Sequence, residues 1–104
     1  MKTWNDIKIN DYIYVLIYHK NNYIEIRRCK VIDVKDLTKE YIKIWYTHPL
    51  NKDLDSLKLE TRDLLGHKNK YVSENDWKNK KYKFLIITEF NENIIKEFET
   101  IHEI

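Results

Sequence analysis

Tyr12-Ile-Tyr-Val-Leu-Ile-Tyr18 constrains the fold of this chain more than any other segment. Seven consecutive aromatic, β-branched or aliphatic residues make a strand, and the run is far shorter than the roughly 20 residues of a membrane helix. Asn21-Asn22 follows, two residues that tolerate positive φ, and then a second apolar stretch from Tyr23 to Val34. The pattern predicts a β-hairpin, with strand one over Tyr12 to Lys20 and a two-residue loop.

That loop sets a register, with Lys20 opposite Tyr23 and Ile17 opposite Ile26. Continued without interruption it would bury Arg28 against Val15 and Lys30 against Ile13. One extra residue at Arg27-Arg28 instead pairs Val15 with Cys29 and Ile13 with Val31, so the pattern predicts a β-bulge there. A long strand bent at a bulge is how a small barrel turns a corner.

The remaining elements follow in order. Asn10-Asp11 is an entry turn, and Tyr41 to Thr47 alternates as a third strand, paired through Val31 and Ile44. His48 to Ser56 reads as a loop and Leu57-Lys-Leu59 as a short fourth strand. Ser73, Asp76, Val72 and Trp77 carry the cap and staple of a short helix over 73–80. The last strand falls over 81–88. Ile94, Ile95, Phe98 and Ile101 then form one helical stripe, capped by Asn91, which predicts an amphipathic helix over 92–103.

The chain thus reads as one α+β domain over 1–104: a strongly bent, partly open antiparallel small β-barrel of about five strands, with a short inserted helix and a C-terminal amphipathic helix. Ile7-Lys-Ile-Asn-Asp-Tyr-Ile-Tyr-Val-Leu16, Arg28-Cys-Lys-Val-Ile-Asp-Val34 and Tyr41-Ile-Lys-Ile-Trp-Tyr46 resemble the Src-homology-three-like small barrels, including the KOW and Tudor types, over 7–60. The resemblance implies a binding module rather than an enzyme; fold alone names no partner.

Motifs for chemistry are few. His19, His48, His67 and His102 lack the close spacing of a zinc site, Cys29 is the sole cysteine, and Gly66 is the sole glycine. One glycine serves neither a phosphate loop nor a dinucleotide fingerprint, so no metal, no cofactor and no catalytic residue is expected. Cys29 is expected in the core as inert packing. A single thiol and the lack of an apolar leader point to a reducing, cytoplasmic setting without membrane attachment.

The register assigns a candidate partner-binding face opposite the aliphatic core: Tyr12, Tyr14 and Tyr18 with Arg27, Lys30, Lys43 and Trp45. Aromatic and basic residues interleaved in this way suit a protein partner or single-stranded nucleic acid, whose bases stack at about 1 to 3 kcal/mol each. The C-terminal helix needs an apolar surface and competes for the same face. A second basic segment is His67-Lys-Asn-Lys70 with Lys78, Lys80, Lys81 and Lys83, read as a solvated loop.

Sixteen Lys against three Arg, and a formal net charge of +2, fall short of a polyanion-binding profile. The sequence therefore favours a non-enzymatic protein-binding module. Its A- and T-rich coding bias and shortage of motifs suit an inhibitor of a host protein encoded by a phage or mobile element. Single-stranded nucleic-acid binding is the alternative. The chain is expected to be a monomer or a homodimer paired through the edge beside Leu57 to Leu59.

Overall fold

The computed structural model describes residues 1–49, 58–73, 79 and 81–103. They form one antiparallel sheet of five strands, β1 (Tyr12–His19), β2 (Tyr23–Asp36), β3 (Tyr41–Pro49), β4 (Leu59–His67) and β5 (Phe84–Ile87), in the spatial order β4-β3-β2-β1-β5. The sheet curls into a half-barrel. A 3-10 turn at Trp4–Asp6 precedes it and an α-helix, α1 (Glu92–His102), follows it. The α+β class and the bent barrel architecture are as the sequence predicts. The short helix expected over 73–80 falls on 74–78 and 80, outside the described residues, and Trp77 with it.

Strand β4 departs from expectation. It begins at Leu59, where the sequence reading ended its fourth strand, and pairs with β3 over all nine residues, from Pro49↔Leu59 to Tyr41↔His67. Glu60, Thr61, Arg62 and Asp63 disguise it, because an edge strand can keep its polar residues in water.

The hairpin joining β1 and β2 also corrects the expected register. Its pairs are His19↔Tyr23, Ile17↔Glu25, Val15↔Arg27 and Ile13↔Cys29, with no interruption, so there is no bulge at Arg27-Arg28. The loop is Lys20, Asn21 and Asn22, closed by the Asn22 amide donating to the His19 carbonyl at 3.1 Å, with Asn22 left-handed at φ 60°. A tight turn followed by one left-handed residue is the usual three-residue hairpin loop, and asparagine accepts that conformation without a glycine. Moving the loop boundary by one residue turns the β2 side chains from Tyr23 to Arg27 to the face opposite the expected one, whereas Cys29 and Lys30, beyond the expected bulge, keep their assigned faces.

A bulge does exist, five residues further along and against the other neighbour. Pairing of β2 with β3 runs from Lys30↔Thr47 and Val31↔Tyr46 to Asp33↔Trp45 and Val34↔Ile44, leaving Ile32 as the extra residue. The expected pairing of Val31 with Ile44 is therefore replaced. Strand β2 pairs with β1 over Tyr23–Lys30 and with β3 over Lys30–Asp36, so the bulge falls in the half that follows the change of partner. Bulges supply local bend and twist of the kind a curled sheet requires.

Two apolar clusters lie on the two faces. The inner one gathers Ile13, Val15, Cys29, Val31, Ile42, Ile44, Tyr46 and Ile86 under Trp4 and Ile7. Trp4 is fully buried and its Nε1 donates to the Val72 carbonyl at 2.9 Å, which ties the N-terminal turn to the segment before β5. The entry turn is held by the Asp11 carboxylate, which accepts from Lys2 Nζ and the Lys8 amide, both at 2.9 Å. The outer cluster joins Leu16, Leu85 and Ile87 of the sheet to Ile94 and Phe98 of α1. Asn91 caps the helix as predicted, its Oδ1 accepting from the Ile94 amide at 3.1 Å. Because Ile86 faces inward and Leu85 and Ile87 outward, β5 is covered on both sides.

Candidate binding face

On the outer face of the sheet, α1 divides the tyrosines. Leu16 is fully buried beneath it, and Tyr14 and Tyr18 pack at the margin of the same cluster. Tyr14 meets Phe90 edge-on with ring centroids 6.0 Å apart. Tyr18 stacks on His102 at 4.2 Å and donates its hydroxyl to Asn22 Oδ1 at 2.7 Å. The C-terminal helix thus takes this part of the face for the protein's own core.

Tyr12 lies outside that cover, 42% exposed, with the Arg28 guanidinium 3.6 Å above its ring. The cross-strand row Tyr12, Lys30 and Thr47 continues the face across β1, β2 and β3. In the next row Trp45 stands between Asp33 on β2 and Asp63 on β4. Lys43 Nζ lies 5.3 Å from the Trp45 ring and 3.1 Å from Asp63. Ile26 and the bulged Ile32 are more than a third exposed nearby on β2. The open part of the face therefore combines two aromatics, each beneath a cation, with carboxylates on both sides of the larger one.

Arg27 is corrected to the opposite face by the three-residue loop, and Glu25 goes with it. There the Arg27 guanidinium donates to Glu25, to the Pro49 carbonyl and, at 3.2 Å, to His48 Nε2. His19 Nε2 meets the other oxygen of Glu25 at 3.0 Å. These charged groups close one end of the inner face, where Val15 and Ile17 supply apolar wall.

His48 is 3% exposed, and burial, followed by the Arg62 and Arg27 charges, holds it below the usual imidazole range. Since Arg27 donates to Nε2, the proton of the neutral ring belongs on Nδ1, which lies 3.8 Å from Cys29 Sγ. The imidazole accordingly donates toward the sulfur and offers it no base. Cys29 is 1% exposed, and burial pushes its thiol up to about 11. Its placing in the core is as expected. Among the described residues, no three His, Cys, Asp or Glu side chains come together in a manner that would hold a metal.

The second basic segment is partly committed to structure. Lys68 pairs with Asp36 at 3.0 Å, and the Lys70 carbonyl accepts from the Trp4 amide at 2.8 Å. Lys78 and Lys80 lie outside the described residues. Arg28 escaped the sequence reading because the two-residue loop faced it inward. The alternation itself carried the signal, since Ile24, Ile26, Arg28 and Lys30 share one face of an uninterrupted strand. The grouping of Arg27, His48 and Arg62 had no local signal, being assembled from three strands.

No helix among the described residues is long and apolar enough to cross a membrane. No family model, curated protein or solved structure matches this chain.

Proposed function

We propose that the protein is a non-enzymatic protein-binding module of the Src-homology-three-like small-barrel kind, and that it engages its partner through the open outer face formed by Tyr12, Arg28, Lys30, Lys43 and Trp45. The flanking of Trp45 by Asp33 and Asp63 carries this reading. Carboxylates on both sides of the principal aromatic would repel a phosphate backbone. The same mosaic of aromatic, cationic and anionic groups suits a protein surface, where tryptophan, tyrosine and arginine dominate binding energy. Arg28 and Lys30 form no ion pair with a described residue and favour a partner that presents carboxylates beside an apolar patch. Inhibition of a host protein by a phage- or mobile-element-encoded protein is the biological role that suits such a surface.

Single-stranded nucleic acid is the second reading, favoured by the two cation-bearing rings, Arg28 over Tyr12 and Lys43 over Trp45. Affinity capture with nuclease-treated lysate separates the two. A polypeptide retained by the wild-type protein and lost from a folded Arg28→Glu/Trp45→Ala variant supports protein binding. Binding of a single-stranded oligonucleotide that weakens steeply with salt, without any such polypeptide, overturns it.

A further inference from the structure

The mouth of the curled sheet holds a cavity of about 400 Å³, a size suited to a small ligand. Val15, Ile17 and Phe84 give it an apolar wall; Arg27, His48 and Arg62 give it a polar one. Both guanidiniums are already held in place. Arg27 uses Nε on Glu25 and Nη1 on His48 and the Pro49 carbonyl. Arg62 uses Nε on Glu60 at 2.8 Å and Nη2 on the same carboxylate at 2.7 Å.

Each arginine therefore retains one terminal nitrogen, Nη2 of Arg27 and Nη1 of Arg62, with no bond to a described residue. Because Glu25 and Glu60 balance the two cations, the cavity offers directed donors without a large positive potential. That combination favours one negative charge over two. Tyr46 also lines the cavity, and burial pushes its hydroxyl up to about 12, so it carries no charge at neutral pH.

We propose that this cavity binds a monocarboxylate carried on an apolar or aromatic body, the carboxylate between the Arg27 and Arg62 guanidiniums and the body against Val15, Ile17 and Phe84. The carboxylate belongs either to a free small acid or to the C-terminal end of a peptide, and the two share this chemistry. The site is independent of the outer face and does not depend on that face binding a protein.

The test is a titration of the isotope-labelled protein, followed by amide chemical shifts. The probes are 4-phenylbutyrate, its carboxamide, the peptide Gly-Gly-Phe with a free or amidated C-terminus, and inorganic phosphate. At least one acid is expected to saturate, with shifts centred on Arg27, His48 and Phe84, and its amide to bind about tenfold more weakly. Arg62→Gln, at a partly exposed position, is expected to leave the melting temperature unchanged and to make acid and amide equal. Whichever acid binds tighter identifies the source, chain end or free acid. The proposal is overturned if neither acid binds, if acid and amide bind alike, if phosphate binds as tightly, if the shifts lie elsewhere, or if Arg62→Gln preserves the discrimination.

Discussion

Gly66 on β4 lies against the indole of Trp4 so closely that a Cβ at position 66 would stand 2.7 Å from Trp4 Cγ. Real Cβ atoms do not approach that near, and the indole cannot retreat, being fully buried and tethered through Nε1 to the Val72 carbonyl. Gly66→Ala is expected to destabilise the fold by about 1 to 3 kcal/mol, the usual range for overpacking. Urea denaturation measures it. An unchanged midpoint would show that the turn carrying Trp4 does not pack on β4 in this way.

Arg27 and Arg28 are adjacent in sequence and opposite in consequence. Arg27→Ala removes one partner of a Glu25 side chain that is 10% exposed, together with the donor to His48 and Pro49, so a loss of about 2 to 4 kcal/mol is expected. Arg28→Ala forfeits a surface cation–π contact of about 0.5 to 1 kcal/mol. Comparing the two by chemical denaturation tests the hairpin register directly. The reverse order of costs would restore the two-residue loop.

At Asn22 the left-handed backbone sets a specific requirement. Asn22→Val is expected to cost about 1 to 2 kcal/mol, because a β-branched side chain clashes there. Asn22→Gly relieves the backbone but removes the acceptor of the Tyr18 hydroxyl, so its stability is expected to lie between valine and wild type. Thermal melts of the three proteins in one buffer give the order, and a valine variant as stable as wild type would argue against the positive φ.

Stability should depend on pH through His48. Its folded pKa lies below the unfolded value, so the unfolded chain binds the extra proton as pH falls toward and below the ordinary imidazole range. The His48 contribution is present above about pH 6.5 and declines as pH falls through the folded pKa. His48→Gln is expected to flatten the slope of unfolding free energy between about pH 5 and 7. Identical slopes in the two proteins would remove His48 as the cause.

Cys29 offers a chemical measure of burial. With the thiol raised to about 11 and nearly all its surface covered, a disulfide reagent should label it in native buffer only as fast as the protein opens. Addition of denaturant should bring labelling to the rate of a free thiol. Rapid labelling of the native protein would place the sulfur at the surface.

Much of the architecture was legible. The apolar run in β1, the alternation of β3, the buried character of β5 and the Asn91 cap with its Ile94, Phe98 stripe are local patterns, each set by the period of one element. Strand β4 was not, because an edge strand has no need of an apolar alternation. The candidate face was half legible: Tyr12, Lys30, Lys43 and Trp45 lie where their alternation assigned them, whereas Arg27 does not. Tyr14 and Tyr18 share the assigned face but pack at the margin of the α1 cluster.

By itself, then, the sequence determined where β1, β2, β3 and β5 fall, where the helix begins and that Cys29 would be buried, since these follow from periodicity and hydrophobicity within each segment. Tertiary structure decided the rest. A hairpin loop of two residues or three is nearly degenerate in local chemistry, and the choice was settled by where Glu25 and Arg27 could be jointly satisfied by His19, His48 and the Pro49 carbonyl. It likewise moved the bulge to Ile32, where β2 changes partners. The Tyr12 to Tyr18 run was divided in the same way, Leu16 going beneath α1 because the helix buries more apolar surface there than water would leave stable, and Tyr12 remaining outside.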